Sequence, residues 1–158
     1  MRIILILLLH VILFANSYNF EEIKFVSAVD TSFKKSGKIE VDKGKVVITY
    51  KEPSFKQITK IDNNITIKGS SGDIFILKGK ALYYTGLFID VMTKIDTFDK
   101  LKTNIDFKIE RKNDIFYITF LGDLADTITK AEVKIKNLKV LSFKMFMPND
   151  DTLEIIKK

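Results

Sequence analysis

The chain has 158 residues, with 26 Lys and Arg against 20 Asp and Glu, and its formal net charge is +6. It contains one His and no Cys or Trp. This length favours a single domain. The missing thiols exclude disulfides and Cys–His nucleophiles, and the scarcity of imidazole argues against Ser–His–Asp machinery and ordinary zinc, copper or haem sites.

The first 17 residues have the pattern of a secretory signal peptide. A basic start, Met1-Arg2, precedes the apolar run 3–14, and the small residues of 15–17 follow. A membrane anchor is the less favoured interpretation, because a spanning helix needs roughly 20 apolar residues. We expect cleavage after Ala15 or Ser17 and one domain over 18–158. His10 would leave with the signal, and no Cys follows it to carry lipid, so we expect a soluble exported protein.

Most of the remaining chain predicts short strands separated by turn signals. Alternating or β-branched runs indicate strands, and Ser36-Gly37, Lys43-Gly44 and 62–64 are turn signatures. About ten or eleven strands at regular spacing favour one antiparallel sheet curled into a sandwich or barrel. The predicted strands are 38–42, 45–50, 56–61, 65–68, 74–77, 82–84, 105–111, 115–121, 131–136, 140–147 and 153–156. The segment 25–29, after a short lead-in, is a further candidate strand.

One segment, 87–101, has helical periodicity instead. Its apolar residues recur at steps of four, four, three and three: Leu87, Val91, Ile95, Phe98 and Leu101. A lone apolar helix between two runs of strands must pack on the sheet, because it has nothing else to bury against.

Four segments are apolar on both faces: 74–77, 82–84, 115–121 and 140–147. A sheet with one solvated face needs apolar residues on one side only. Two interpretations remain open at this point. The helix completes an ordinary two-layer core, or it is a lid over a concave apolar cavity.

Residue patterns that carry chemistry are scarce. Asp62, Asp114 and 150–151 lie in turn signatures, so a glycosidase-type carboxylate pair is a weak alternative. The segment 69–72 lacks the ending of a phosphate loop. Lysines alternate with acids on the outward faces of strands, which indicates a solvated face and no nucleic-acid partner. We expect no enzymatic activity, catalytic residue, metal or cofactor.

A pattern of strand ends and turns runs through the segment 36–64: Ser36-Gly37, Lys43, the 48–50 strand end with Pro53, and Asp62-Asn63. In this pattern the segment resembles the LolA-type periplasmic lipoprotein carriers. The segment 131–156 is similar to the family's closing three strands, with 148–151 as the turn. The chain departs from the pattern at Ile48, where the family has Trp, and at Asn63, where it has Gly. The family's N-terminal helix is short or missing here.

The resemblance implies a mainly β fold: a strongly curved, incompletely closed antiparallel β-barrel of about ten or eleven strands, with a central helical lid over 87–102. It implies a monomeric periplasmic chaperone that takes lipoprotein acyl chains from an inner-membrane releasing transporter to an outer-membrane acceptor. The lid-contact residues it implies are Lys43, Ile95, Phe98 and Leu101. Lys43 stands where the family has Arg and offers no bidentate fork. The expected lipid-binding residues are Ile48, Tyr50, Phe75, Leu77, Leu87, Val91, Met92, Phe107, Ile109, Ile118, Phe120 and Phe143.

Three alternatives stay open. On the same fold, the protein would bind another amphiphile or act as an envelope-stress sensor. From another class, it would be a secreted hydrolase that uses a carboxylate pair. A plain structural or adhesion domain would have a filled interior without a cavity.

Overall fold

The computed structural model describes residues 16–93 and 106–158, apart from residue 138. Within these residues the chain forms one helix, α1 (Gly79–Thr93), and eleven strands. Short 3-10 turns lie at Ser27–Val29 and Gly122–Leu124. The strands are β1 (Asn16–Val26), β2 (Thr31–Asp42), β3 (Lys45–Glu52), β4 (Lys56–Ile61), β5 (Asn64–Gly69), β6 (Ile74–Ile76), β7 (Phe107–Lys112), β8 (Ile115–Phe120), β9 (Lys130–Lys136), β10 (Lys139–Phe146) and β11 (Thr152–Lys157).

The strands form one sheet in the order β6-β5-β4-β3-β2-β1-β11-β10-β9-β8-β7, and every pair is antiparallel. Among the described residues, β6 and β7 are the two ends of this order and do not pair with each other. The prediction of a mainly β, incompletely closed antiparallel sheet with a helix is therefore confirmed.

The sheet curls around α1. The helix contacts both β5 and β10, which lie six positions apart in the strand order. On a flat sheet that separation would be roughly 29 Å, whereas a helix with its side chains is about 10–12 Å across. One face of the sheet must therefore be concave, with α1 resting on it.

Alternation along the strands fills this concave face. In β9, for example, Ala131, Val133 and Ile135 are buried, while Glu132 between them is half-buried and the lysines of the strand are exposed. The same two-residue period buries Ile39 of β2 and Ile48 of β3. The core therefore lies between the concave face and α1, and it is one contiguous cluster.

The N-terminal part of the sheet differs from the sequence-based prediction. Residues 16–26 and 31–42 form two long paired strands, where we expected a lead-in and the two short strands 25–29 and 38–42. The predicted turn at Ser36-Gly37 is wrong, since both residues lie inside β2. A Cβ on Gly37 would come within 2.6 Å of the Phe20 ring and 2.4 Å of the Thr49 carbonyl oxygen. Gly37 is required by this close approach, not by a turn.

The helix begins earlier than its periodicity indicated. The predicted strand 82–84 is wrong, because these residues lie inside α1. Aromatic residues favour strands, and Gly86 interrupts the apolar stripe, so the first two turns did not resemble a helix. Residues 87–93 are helical as predicted. The rest of the predicted lid, including Ile95, Phe98 and Leu101, lies outside the described residues.

Apolar residues on both faces of 74–77 predict a strand that is covered from both sides, and this prediction is also wrong. Ile74, Phe75 and Ile76 are each 63% exposed, because β6 lies at an end of the sheet.

In the part of the chain that the structure describes, no helix has both the length and the apolar composition of a membrane span.

Candidate functional site

An open groove separates one side of α1 from the β4–β5 hairpin. Its volume is about 440 Å³, which falls in the range of small-molecule sites, about 300–1,000 Å³. The groove extends along about three turns of the helix, from Gly79 to Asp90. Its lining residues are Lys60, Asp62, Asn63, Ile65, Gly79, Leu82, Tyr83, Gly86, Leu87 and Asp90.

The groove is apolar along its floor and polar at its rim. Ile65 of β5 is 1% exposed and forms the floor, and Leu82 and Leu87 of α1 lie opposite it. At the rim, Lys60 Nζ lies 3.1 Å from Asp90 Oδ1, and Asp62 and Asn63 are exposed in the β4–β5 turn. This arrangement suits an amphiphile whose apolar chain lies along the floor of the groove and whose polar head group stays at the rim.

Gly86 keeps the groove open in the middle of the helix. An added Cβ would lie 3.6 Å from Ile65 Cδ1 and 3.7 Å from Lys60 Cε, which is ordinary contact. Glycine in a helix interior costs about 0.5–1 kcal/mol relative to alanine. No steric conflict therefore requires glycine here, and a larger side chain at this position would project into the groove.

The opposite side of α1 is closely packed. The Phe88 ring lies 6.0 Å from the Phe120 ring and 5.8 Å from the Phe143 ring, measured between centroids. Val91 also faces this region, and no water-sized volume remains between these side chains and the sheet. Among the described residues, the space between Phe88, Val91 and strands β7, β8 and β10 is thus filled, and the groove lies on the side of β4 and β5.

Two tyrosines flank the core on the central strands. The Tyr18 hydroxyl donates to the Met92 carbonyl at 3.3 Å and so connects β1 to the end of α1. Burial raises the pKa of Tyr18 to about 12. The Tyr50 hydroxyl donates to Glu22 Oε2 at 2.7 Å. Burial, the charge of Glu22 and this hydrogen bond together raise the pKa of Tyr50.

The residues predicted to bind lipid occupy three environments. Ile48, Val91, Met92, Phe107, Ile118, Phe120 and Phe143 are buried in the core, and Tyr50, Leu77, Leu87 and Ile109 are half-buried against it. Phe75 is exposed on β6. Of the whole set, only Leu87 lines the groove. Lys43 is exposed in the β2–β3 turn, where its φ is 33°.

Sequence reasoning missed the other groove residues. Leu82 and Gly86 were not selected because the helix was placed too late. Asp90 lies inside the predicted helix but is not apolar, and Lys60 was counted with the outward lysines. A glycine inside an apolar helical pattern was the available signal.

Among the described residues there is no group of His, Cys, Asp or Glu that could hold a metal ion.

No protein-family model matches the chain, and no curated protein does. The solved structures that are similar to it include three that each share 8% identity with it. They are a LolA superfamily protein from Nitrosomonas europaea (TM-score 0.44, 91% of this chain and 84% of that chain), a protein described as an outer membrane lipoprotein-sorting domain from Vibrio parahaemolyticus (0.43, 90% and 82%), and a DUF1329 family protein from Desulfovibrio piger (0.40, 92% and 85%). The first of these structures is described as a member of the superfamily that the sequence resembles. At identities and TM-scores this low, the function of these proteins is not assigned to this chain.

Proposed function

We propose that this protein is a periplasmic carrier that binds the acyl chain of a lipoprotein in the groove between α1 and β4–β5. The observation that carries the proposal is the open groove, with its apolar floor at Ile65, Leu82 and Leu87 and its charged rim at Lys60 and Asp90. Each methylene buried on such a floor contributes about 0.8 kcal/mol. An acyl chain therefore gains enough from the groove to leave water, while its head group remains solvated.

The helix would act as a movable lid. Its groove side is connected to β4 by the Lys60–Asp90 ion pair, and its other side is packed by aromatic rings. Ion pairs exchange with water more readily than a dry aromatic core does, so the groove side would open first. The buried residues between α1 and the sheet, among them Val91 of the helix and Phe107 and Phe143 of the strands, would become additional lining if the helix moves further.

As a carrier, the protein would receive its ligand from an inner-membrane lipoprotein-releasing transporter and pass it to an outer-membrane acceptor. The exported location rests on the signal-like segment 1–17. A carrier needs binding and release but no bond cleavage, which agrees with the lack of any distinctive nucleophile or acid–base pair in the sequence.

A groove-filling substitution tests the proposal. Gly86→Leu places a branched side chain in the groove, whereas Gly86→Ala adds only the Cβ that fits there. We expect the wild type and Gly86→Ala to bind a fluorescent long-chain fatty acid with similar affinity, and Gly86→Leu to bind it at least about tenfold more weakly, a loss of about 1.4 kcal/mol. Circular dichroism and thermal unfolding would confirm that both variants fold.

Lipoproteins recovered with the wild type from the periplasm, and depleted with Gly86→Leu, would support the cargo assignment. A purified protein that neither carries extractable acyl chains nor binds the fatty acid would overturn the carrier proposal and favour a structural domain. Binding of free amphiphiles without any lipoprotein would favour the alternative of a carrier for another amphiphile.

A further inference from the structure

The outermost strand on the groove side is unusually apolar for a sheet edge. Ile74, Phe75 and Ile76 of β6 are consecutive and each is 63% exposed. Within the described part of the chain, no strand pairs with the outer edge of β6. Proteins normally protect such edges with charge, Pro or bulges, because exposed edges recruit other strands.

Hydrogen bonds just before and just after β6 show which of its backbone groups face away from β5. The Gly69 N–H donates to the Asp73 carbonyl at 3.3 Å, and the Leu77 N–H donates to the Ile65 carbonyl at 2.9 Å. Inward and outward residues alternate along an antiparallel strand, and Phe75 pairs with Ile67. The N–H and C=O groups of Ile74 and Ile76 therefore point away from β5, toward the free edge.

An edge of this kind fits an extended peptide better than a lipid surface. A partner strand satisfies the outward N–H and C=O groups and also covers the apolar side chains, as in strand addition. Hydrocarbon would cover the side chains but leave the backbone groups without hydrogen bonds, at a cost of several kcal/mol for each group.

This edge runs directly into the groove. Two residues, Leu77 and Lys78, separate Ile76 from Gly79, which lines the groove together with Leu82 and Tyr83. A ligand that leaves the groove at its Gly79 end would therefore pass beside β6.

We propose that β6 is the docking edge for the extended polypeptide segment that follows the acyl group of the carried lipoprotein. This inference rests on the proposed function and names a second contact for the same cargo. The segment would add as a strand to Ile74 and Ile76 and present apolar side chains at alternate positions. Lys68 and Lys78 are exposed at the two ends of β6, so acidic residues at the segment's ends would complement their charge.

Three ligands with the same alkyl chain separate the two contacts. The first is the free fatty acid. The second is an N-acylated peptide with alternating apolar residues and acidic ends. The third is the same acylated peptide, N-methylated at alternate residues so that one edge of its extended strand has no N–H donors. We expect the plain acyl-peptide to bind about tenfold more tightly than the fatty acid, a gain of about 1.4 kcal/mol. N-methylation should remove this gain, because it removes the backbone donors without removing the chain.

The reciprocal change in the protein is Ile76→Pro. Proline removes the outward N–H of residue 76 but no bond to β5, so β6 should still pair. Ile76→Val keeps the N–H and is the matched control. We expect Ile76→Pro to lose the tenfold gain of the acyl-peptide and to bind the fatty acid as the wild type does, whereas Ile76→Val retains both affinities.

The possible results are distinguishable. If no ligand binds, the proposed function fails. If the fatty acid binds but the peptide adds nothing, or if its gain survives both Ile76→Pro and N-methylation, the docking edge is wrong and the carrier proposal stands. Equal binding of wild type and Ile76→Pro to phosphatidylcholine vesicles, lost in Phe75→Ser, would overturn the inference in favour of a membrane surface. A wild-type dimer in sedimentation that Ile76→Pro dissociates would overturn it in favour of a second copy of this chain.

Discussion

Lys60 Nζ of β4 lies 3.1 Å from Asp90 Oδ1 of α1, and this ion pair bridges the two walls of the groove. Both side chains are largely covered, at 12% and 28% exposed. Surface pairs contribute little because water screens them, whereas a covered charge that loses its partner pays a desolvation cost. The pair therefore couples the position of the helix to β4.

A double-mutant cycle measures this coupling. Lys60→Met, Asp90→Asn and the double variant should give a coupling free energy of about 1 kcal/mol in urea unfolding. Hydrogen exchange of the α1 amides should become faster in both single variants. A coupling near zero together with unchanged exchange would mean that the pair does not hold the helix.

The strands were predictable where one face is core and the other is solvent. In β2, β3 and β9, the two-residue alternation that the sequence displays is the alternation that burial follows. Their turns contain Gly44 or Asn137 at positive φ, which such residues adopt readily. Local patterning was sufficient there because every residue has one consistent environment.

The groove was not predictable for the opposite reason. Its walls come from β4, β5 and α1, and its volume depends on how far the helix lies from the sheet, which no local pattern encodes. Lys60 looks like its neighbouring surface lysines until Asp90 is placed opposite it. Gly37 likewise looks like a turn residue until the Phe20 ring is seen against its Cα.

Gly86 should be a site where a single added methyl group raises stability and leaves the groove open. Its backbone is helical and a Cβ meets only ordinary contacts, so Gly86→Ala should raise the free energy of unfolding by about 0.5–1 kcal/mol. Urea unfolding measures the change. A decrease in stability would show that the space beside Gly86 is tighter than the groove geometry indicates.

Gly37 should respond in the opposite direction. A Cβ there would overlap the Phe20 ring and the Thr49 carbonyl, and overpacking costs about 1–3 kcal/mol. Gly37→Ala should lower the melting temperature clearly. Gly69→Ala is the control, because its nearest atom would be Ser71 Oγ at 4.0 Å, and it should change stability by less than about 0.5 kcal/mol.

Stability should fall at alkaline pH because two phenols are held neutral in the folded protein. The pKa of Tyr18 is raised to about 12 and that of Tyr50 is raised further, both mainly by burial. A raised folded-state pKa means that the native protein binds these protons more tightly than the unfolded chain. Their contribution is therefore fully present below about pH 10 and is lost as the pH rises beyond it.

Urea unfolding between about pH 9 and pH 12 tests this dependence. The slope of the free energy against pH should be smaller in Tyr50→Phe than in the wild type, because one of the two phenols is gone. At neutral pH the same variant should be less stable by about 1–2 kcal/mol, because Glu22, only 8% exposed, loses a hydrogen-bond donor. An unchanged slope would show that Tyr50 titrates alike in both states.

The filled region beneath α1 and the open groove can be separated with Phe143→Leu. Phe143 is 1% exposed and packs against Phe88 on the side of the helix away from the groove. The variant should lose about 1–2 kcal/mol of stability, because part of a closely packed core side chain is removed. If a single acyl chain occupies the groove, its affinity should remain within about twofold of the wild type, less than about 0.5 kcal/mol. Tighter binding in Phe143→Leu, in titrations at a temperature where both proteins are folded, would instead place the chain beneath the helix, in the space that the smaller side chain creates.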